Sequence, residues 1–234
     1  MIGQIDLVRG IGVFIVQGII ILFFLIIFLK IIKRQRNRYS LLISMVYFLI
    51  AIGFSFNIIY VFLTNELTII TLDFFMIYII LVGQVFALLF NLNLLKTIQI
   101  FTLKKQRIVF IAYLIAIFLA LYFPMDTIIT LEYIPSYSWT KFIVIIIFYT
   151  LALLVPIIYT IILVNRTMES NELKRRWKFY LIGYILLGIS LYNGFLYVTW
   201  DNELYRSIIT YILVVVTIVG GYLIYYGVGK SLKK

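Results

Sequence analysis

The sequence contains neither cysteine nor histidine among its 234 residues. Without cysteine the chain has no disulfide, no thiol nucleophile and no thiolate metal ligand. Without histidine it lacks the most common general base and the most common transition-metal ligand. These absences exclude histidine-dependent serine proteases, zinc proteases and haem held by histidine. We therefore expect no metal site and no cofactor.

Charge is also scarce, and only 12% of the residues are charged whereas 65% are hydrophobic. The mean hydropathy is +1.14, and a soluble domain is nearer a quarter charged. The composition predicts an integral membrane protein with the lipid bilayer as its main solvent. No glycine-rich phosphate loop or nucleophile triad is present. Asp73 is the one aspartate placed within a predicted helix, so paired intramembrane aspartates are excluded, and we expect no catalytic residues.

Seven hydrophobic runs are long enough to cross about 30 Å of hydrocarbon, which requires about 20 residues. They cover residues 11–33, 39–63, 68–96, 107–123, 140–165, 178–200 and 205–229. The first run is longer than the core of a signal peptide and lacks a small-residue cleavage site, so we interpret it as a retained signal anchor. The pattern predicts an all-α protein, a bundle of seven transmembrane helices that forms a single domain over residues 1–234.

The basic residues are concentrated on one side of the predicted membrane. The segments after spans one, three, five and seven hold 17 of the 20 basic residues, whereas most acidic residues lie on the opposite side. The positive-inside rule then predicts an outside N-terminus and a cytoplasmic C-terminus in the cell membrane. The net charge of +11 therefore indicates topology rather than binding to nucleic acid. We expect the basic loops to attract anionic lipid headgroups.

The last span ends in "YYGVGK", and a lysine in a seventh helix is the residue that anchors retinal in rhodopsins. The outline resembles that of a rhodopsin, but Lys230 lies about 14 residues beyond the centre of its span, or about 21 Å at 1.5 Å per residue. A Schiff-base lysine has to lie near the middle of the membrane. We therefore expect Lys230 to be an interfacial anchor and the protein to bind no retinal.

The longest loop between spans covers residues 124–139 on the predicted outer side. Pro124 and Pro135 break helical structure there. Two interpretations are open: a small cap over the outer mouth of the bundle, or a plain connection.

Two segments of the chain resemble each other. Residues 56–67 read "FNIIYVFLTNEL" and residues 192–204 read "YNGFLYVTWDNEL", and each closes a span that follows a basic run. Two interpretations are open: spans one to three repeat as spans five to seven in the same orientation with span four as a linker, or the match is a chance similarity in a chain rich in isoleucine, phenylalanine and tyrosine. This 3+1+3 layout resembles the sugar transporters with PQ-loop repeats, although the chain contains no Pro-Gln pair.

Polar side chains inside the spans are the candidates for a ligand site. Gln17, Asn57, Asp73 and Asn193 fall at a similar depth in the outer third of four helices, and Gln84 lies near the middle of span three. The aromatic residues near them in sequence are Tyr60, Tyr78, Tyr192, Tyr197 and Trp200. An aromatic cavity with a few amides suits a small amphipathic ligand. The alternative is that these amides bond one helix to another.

The short loops and the ending "GGYLIYYGVGK" resemble the seven-helix membrane regions that precede signalling domains in prokaryotic histidine kinases. The resemblance implies a receptor or sensor that binds a small ligand in an outward-facing or intrabilayer pocket. Because the kinase itself is missing, the signal would pass to a cytoplasmic partner protein or within a homo-oligomer. The alternatives are a facilitative transporter of a small neutral solute and a non-catalytic structural subunit.

Overall fold

A computed structural model gives the structure of the protein and describes residues 11–34, 36–94, 102–122, 127–130 and 134–229. Seven of its helices are long and apolar enough to cross a membrane. Lys230 and the other basic residues of the C-terminal tail lie outside the described residues.

The helices are numbered here in chain order. Four helices are regular throughout: α2 is Arg38–Tyr60, α3 is Glu66–Leu94, α4 is Leu103–Tyr122 and α6 is Asn171–Thr199. Helix α1 begins with a π-helical part, Ile11–Gln17, and continues as Gly18–Arg34, whereas α7 is Glu203–Ile224 followed by a π-helical turn, Tyr225–Gly229. Helix α5 consists of Trp139–Phe148, a π-helical segment Tyr149–Leu154, and Val155–Thr167. These helices coincide with the seven predicted spans. The largest difference is at α6, which begins at Asn171 rather than at 178, because its first two turns are polar and carry no hydropathy signal.

Short polar segments fix where the helices begin. The side chains of Asn37, Asn65, Ser138 and Asn202 each accept a hydrogen bond from the backbone N–H three residues later, over 2.7–3.1 Å. Such caps satisfy N–H groups that the first helical turn leaves without a partner. They explain why connections of only a few residues suffice between apolar helices.

Helix α3 is the most buried of the seven spans, and α4 is among the least buried. The most extensive contacts join α2 to α3 and α6 to α7. Small residues permit both approaches. A Cβ atom added to Gly53 would lie 2.5 Å from Ile80 of α3, and one added to Gly183 would lie 2.7 Å from the carbonyl oxygen of Gly220 in α7. Close backbone packing of this kind drives helix association where water cannot.

Helix α5 changes its winding in the middle of the span. The π-helical segment Tyr149–Leu154 ends two residues before Pro156, which has no N–H to donate to the preceding turn. The carbonyl oxygen of Ala152, four residues before the proline, accepts a hydrogen bond of 2.8 Å from the Tyr113 hydroxyl of α4. A neighbouring helix thus supplies a donor to the backbone beside the irregularity, as lipid-buried backbone requires.

The segment between α4 and α5 contains a small antiparallel hairpin. Strand β1 (Thr127–Ile129) pairs with strand β2 (Pro135–Tyr137), with Ile128 opposite Ser136. Both strands contact α3, and β2 also contacts α6. Of the two interpretations left open by the sequence, the structure favours the cap. We call this end of the bundle the hairpin end, and the end with Arg34, Arg38 and Lys174 the basic end.

Candidate functional site

A carboxylate is buried beneath the hairpin. Asp73 lies two turns inside α3 and is only 2% exposed. Its Oδ2 atom accepts a hydrogen bond of 2.7 Å from the Tyr137 hydroxyl of β2. A buried carboxylate is costly unless it is well bonded. This contact therefore ties the hairpin to the most buried helix of the bundle. Arg206, the basic residue of α7 at this end, contacts Asp201 at 2.7 Å rather than Asp73.

The Tyr137 phenol lies between the strands and the membrane helices, and it is 4% exposed. Burial raises the pKa of this phenol well above its ordinary value of 10.0, and the negative charge of Asp73 and its hydrogen bond raise the pKa further. The hydroxyl therefore remains protonated at physiological pH. Tyr137 is a permanent hydrogen-bond donor to the carboxylate.

A buried lysine accompanies this pair. Lys141, in the first turn of α5, is 4% exposed. Its ammonium group lies 4.3 Å from the centroid of the Tyr137 ring, within cation–π range, and it donates a hydrogen bond to the Thr127 hydroxyl of β1. The lysine also acts electrostatically on Asp73. Both strands of the hairpin are thereby fixed to charged groups at the end of the bundle.

Asp73 belongs to a polar face that runs along α3. Gln84 follows Asp73 by 11 residues and Asn91 follows Gln84 by seven, so at 100° per residue the three side chains lie within about 20° of one another. They are 2%, 1% and 0% exposed, respectively. From Asp73 to Asn91 the face extends about 27 Å at 1.5 Å per residue, which is close to the thickness of the hydrocarbon core.

The middle of this face adjoins a small cavity. Neither the Oε1 nor the Nε2 atom of Gln84 has a hydrogen-bond partner among the described residues, and both are buried. The cavity has a volume of about 30 Å³ and is lined by Gln84, Phe24, Phe54, and the hydrogen-bonded hydroxyls of Ser190 and Thr217. That volume corresponds to about one water molecule. The amide of Gln84 thus retains its full capacity to bind a polar group.

At the basic end, amides join α3 to its neighbours. Asn93 and Gln106 of α4 exchange two side-chain hydrogen bonds of 3.1 and 3.3 Å, and Arg38 of α2 also donates to Gln106. The Tyr180 hydroxyl of α6 donates to the Oδ1 atom of Asn91 over 3.1 Å. A displacement of α3 therefore changes contacts with α4 and α6 at this end.

The structure divides the ten predicted ligand residues among several places. Tyr60 and Asp73 meet around Tyr137, since Tyr60 lies close enough to act on the Tyr137 phenol. Gln84 is at the cavity, and the Tyr78 ring contacts Phe118 of α4. Four more of the predicted residues, all near the end of α6 or directly after it, contact other partners. These contacts are Tyr192 with Thr150, Asn193 with Tyr205, Tyr197 with Arg206, and Trp200 with Tyr205.

Gln17 and Asn57 complete the predicted set. The Oε1 atom of Gln17 in α1 is buried without a hydrogen-bond partner in the described part of the chain. Asn57 is half-buried near the end of α2. A similar depth along the helices does not determine which face of a helix a side chain occupies.

Sequence reasoning missed Tyr137, Lys141 and Thr127 as members of the site. Tyr137 follows Pro135 in a connecting segment, where a tyrosine indicates an interfacial anchor as readily as a buried donor. Lys141 carried a usable signal, because it is one of only three basic residues on the predicted outer side. A cation in the first turn of a helix also opposes the helix dipole, which suggests a specific partner.

Comparisons with protein-family models, curated proteins and solved structures found no match for this chain.

Proposed function

We propose that the chain is a non-catalytic membrane receptor whose ligand-responsive element is the hairpin over Asp73. The observation that carries the proposal is the Tyr137–Asp73 hydrogen bond. It connects an extramembrane hairpin to a carboxylate buried in a membrane helix. A cationic or hydrogen-bond-donating small ligand that enters at this end can take the place of the phenol, and the hairpin is then released from α3.

The proposed output is a shift of α3 toward a second arrangement at the basic end. Helix α3 is continuous from Glu66 to Leu94, so a change at Asp73 is transmitted along a rigid element. The Asn93–Gln106 and Asn91–Tyr180 contacts are the ones that such a shift alters. A ligand can drive the shift only by the difference between its affinities for the two arrangements. The receiver in this proposal is a cytoplasmic protein or a second copy of the chain.

We also propose the orientation with the hairpin end outside and the basic end in the cytoplasm of the cell membrane. The distribution of the basic residues between the two sides supports this orientation. The hairpin then meets ligands from outside, whereas Arg38 and the basic loops face the signalling partner.

A facilitative transporter of a small neutral solute is the second candidate, and the polar face of α3 favours it. That face spans about 27 Å and includes an amide with unused hydrogen-bonding capacity. The 3+1+3 repeat belongs to this candidate. Its support is that the α2–α3 and α6–α7 pairs, which the repeat would relate, pack most extensively and both use a glycine at the close approach.

A thermal-unfolding screen of the purified full chain tests the receptor proposal. The panel contains small cationic, neutral and anionic amphipathic compounds. A compound at about 100 times its Kd stabilises a protein by about 2.7 kcal/mol. We expect a cationic or donor-rich compound to stabilise the wild type and the Asp201→Asn variant but not Asp73→Asn. Asp201 is the matched control, since its carboxylate lies at the same end and its side chain is 87% exposed.

The alternative outcomes separate the candidates. A hit whose affinity survives Asp73→Asn argues against the site, and a panel without any hit argues against a receptor. Solute flux into liposomes that is lost in Gln84→Leu supports the transporter instead. If no compound binds or crosses, and Gln84→Leu only lowers the free energy of unfolding, the amides serve to hold the bundle together, as in a structural subunit.

A further inference from the structure

The first two turns of α6 carry a stripe of polar and basic residues. Asn171, Lys174, Arg175 and Lys178 are spaced i, i+3, i+4 and i+7, which places them on one helix face. Trp177, on another face, is buried in the core. The stripe accounts for the seven residues by which α6 extends beyond its predicted span. A hydropathy pattern alone assigns these cations to a loop.

This stripe lines one side of a shallow groove that is open at the surface. Residues 168–170 turn the chain directly from α5 into α6, so Asn165 and Arg166 at the end of α5 face the stripe. The groove has a volume of about 630 Å³ and is lined by those two residues together with Asn171, Lys174, Arg175 and Lys178. A volume of this size accommodates a small-molecule group. Three of its cations come from one helix and the fourth from the preceding helix.

The four cations of the groove have no carboxylate partner among the described residues. The acidic residue nearest to them in sequence on α6, Glu172, is engaged by Arg176 at 2.6 Å, and Arg176 is not part of the groove. The side-chain cap of α6 is also unused, because Ser170 makes no hydrogen bond to the first turn. The Oδ1 atom of Asn165 is buried with no hydrogen-bond partner in the described part of the chain.

We propose that this groove binds the phosphate group of an anionic phospholipid headgroup. The four cations that line the groove and the N-terminal end of α6 both favour an anionic oxygen group. The groove lies where two membrane-spanning helices emerge at the basic end, at the level of lipid headgroups. Rotation of the Asn165 amide offers its NH2 group as an additional donor. The site is independent of the receptor role and requires only that α5 and α6 cross the membrane.

The test uses the purified full chain in detergent and soluble short-chain lipids as probes. Dioctanoyl phosphatidylglycerol is the anionic lipid, dioctanoyl phosphatidylcholine the neutral one, and inorganic phosphate the headgroup chemistry without a lipid. Affinity is read from the shift of the thermal-unfolding midpoint and from lipid adducts in native mass spectrometry. We expect the anionic lipid to bind more tightly than either other probe.

The groove variant combines Arg166→Gln, Lys174→Gln and Arg175→Gln. Each cation near an anionic surface contributes roughly fivefold in affinity, so we expect this variant to bind the anionic lipid at least about tenfold more weakly. The control combines Lys33→Gln, Arg36→Gln and Lys104→Gln, which removes three exposed cations at the same end but outside the groove. The control should bind as the wild type does. If the groove variant does not fold, Lys174→Gln alone carries the test.

Three results would overturn the proposal. Equal weakening in the groove and control variants would indicate diffuse surface charge. Equal affinity for phosphatidylcholine or for inorganic phosphate would exclude an anionic lipid as the specific ligand. The absence of any response in the wild type would exclude the site altogether. None of these results depends on whether a ligand acts at Asp73.

Discussion

Three side chains at the hairpin end are costly to bury, and each has a specific partner. Asp73, Tyr137 and Lys141 are all at most 4% exposed. An ionised group in such a position persists only when donors and opposite charge replace the lost water. The three residues come from α3, β2 and α5, so each holds the others in place across elements that are distant in sequence.

The Tyr137–Asp73 contact leads to the first residue-scale prediction. Tyr137→Phe removes the hydroxyl but keeps the ring, and the buried carboxylate loses a donor. We expect the free energy of unfolding to fall by about 1–3 kcal/mol, as measured by denaturant titration in detergent. Tyr211→Phe is the control, because Tyr211 is 64% exposed in α7 and should change stability little.

A double-mutant cycle with Asp73→Asn isolates the interaction. Residues in direct contact show coupling energies of about 0.5–3 kcal/mol. If the two substitutions were simply additive, Tyr137 would stabilise the hairpin through its ring alone, and the hydrogen bond would not be the link between hairpin and helix.

The helix pairs α2–α3 and α6–α7 are closely packed, whereas helix α5 is irregular. The pairs approach through glycine, where backbone meets backbone or a neighbouring side chain. Helix α5 contains a π-helical segment and Pro156, which are typical of positions where a membrane helix bends. Motion between arrangements is therefore expected to occur around α5, with the two packed pairs moving as units.

Two glycines of the same helix provide an element-scale prediction. In Gly183→Ala the new methyl group meets the Gly220 carbonyl oxygen at 2.7 Å and the Ile224 backbone nitrogen at 2.9 Å, whereas at Gly194 nothing lies within 4 Å. We expect Gly183→Ala to destabilise the protein by about 1–3 kcal/mol. Gly194→Ala should be neutral or stabilising by up to about 1 kcal/mol, since alanine favours helix.

The readout is the free energy of unfolding of both variants under the same conditions. Similar values for the two substitutions would mean that α6 and α7 separate at no cost, and that the pair does not move as a unit.

At the scale of the whole molecule, the polar groups are distributed from the hairpin end of the bundle to the basic end. The hairpin end holds the carboxylate, the middle holds Gln84 and its cavity, and the basic end holds the amide contacts and the cationic groove. Helix α3 runs through all three regions, and α6 contributes Ser190 to the cavity as well as Tyr180 and Lys174 to the basic end. In such an arrangement, ligand binding at one end can change the contacts at the other end only if α3 moves.

The proposed orientation is a whole-molecule prediction that the absence of cysteine makes simple to test. Ile128→Cys places the only thiol of the chain on the exposed side of β1, and Ser170→Cys places it in the exposed connection before α6. We expect a membrane-impermeant maleimide to label Ile128→Cys in intact cells and Ser170→Cys only after permeabilisation. The reverse labelling pattern would place the basic end outside.

The amino-acid sequence by itself determined the number of spans and most of their ends. Hydrophobic runs of about 20 residues have to cross the bilayer as helices, because lipid offers no partner to an open backbone. The same local signals were too coarse for the start of α6, where basic residues extend the helix beyond its apolar part. Polar residues in the spans were also recognisable one by one, since a deep polar side chain is unusual whatever surrounds it.

Only the tertiary structure decided which of those residues meet. Asp73 and Tyr137 are 64 residues apart, and Asn93 bonds with Gln106 across two helices. Which residues meet depends on the rotation of each helix about its axis and on the path of the hairpin. In a lipid bilayer, the hydrophobic pattern of the sequence determines neither of these. For a helix surrounded by lipid on one side and protein on the other, both faces are apolar, so packing rather than polarity selects the inward face.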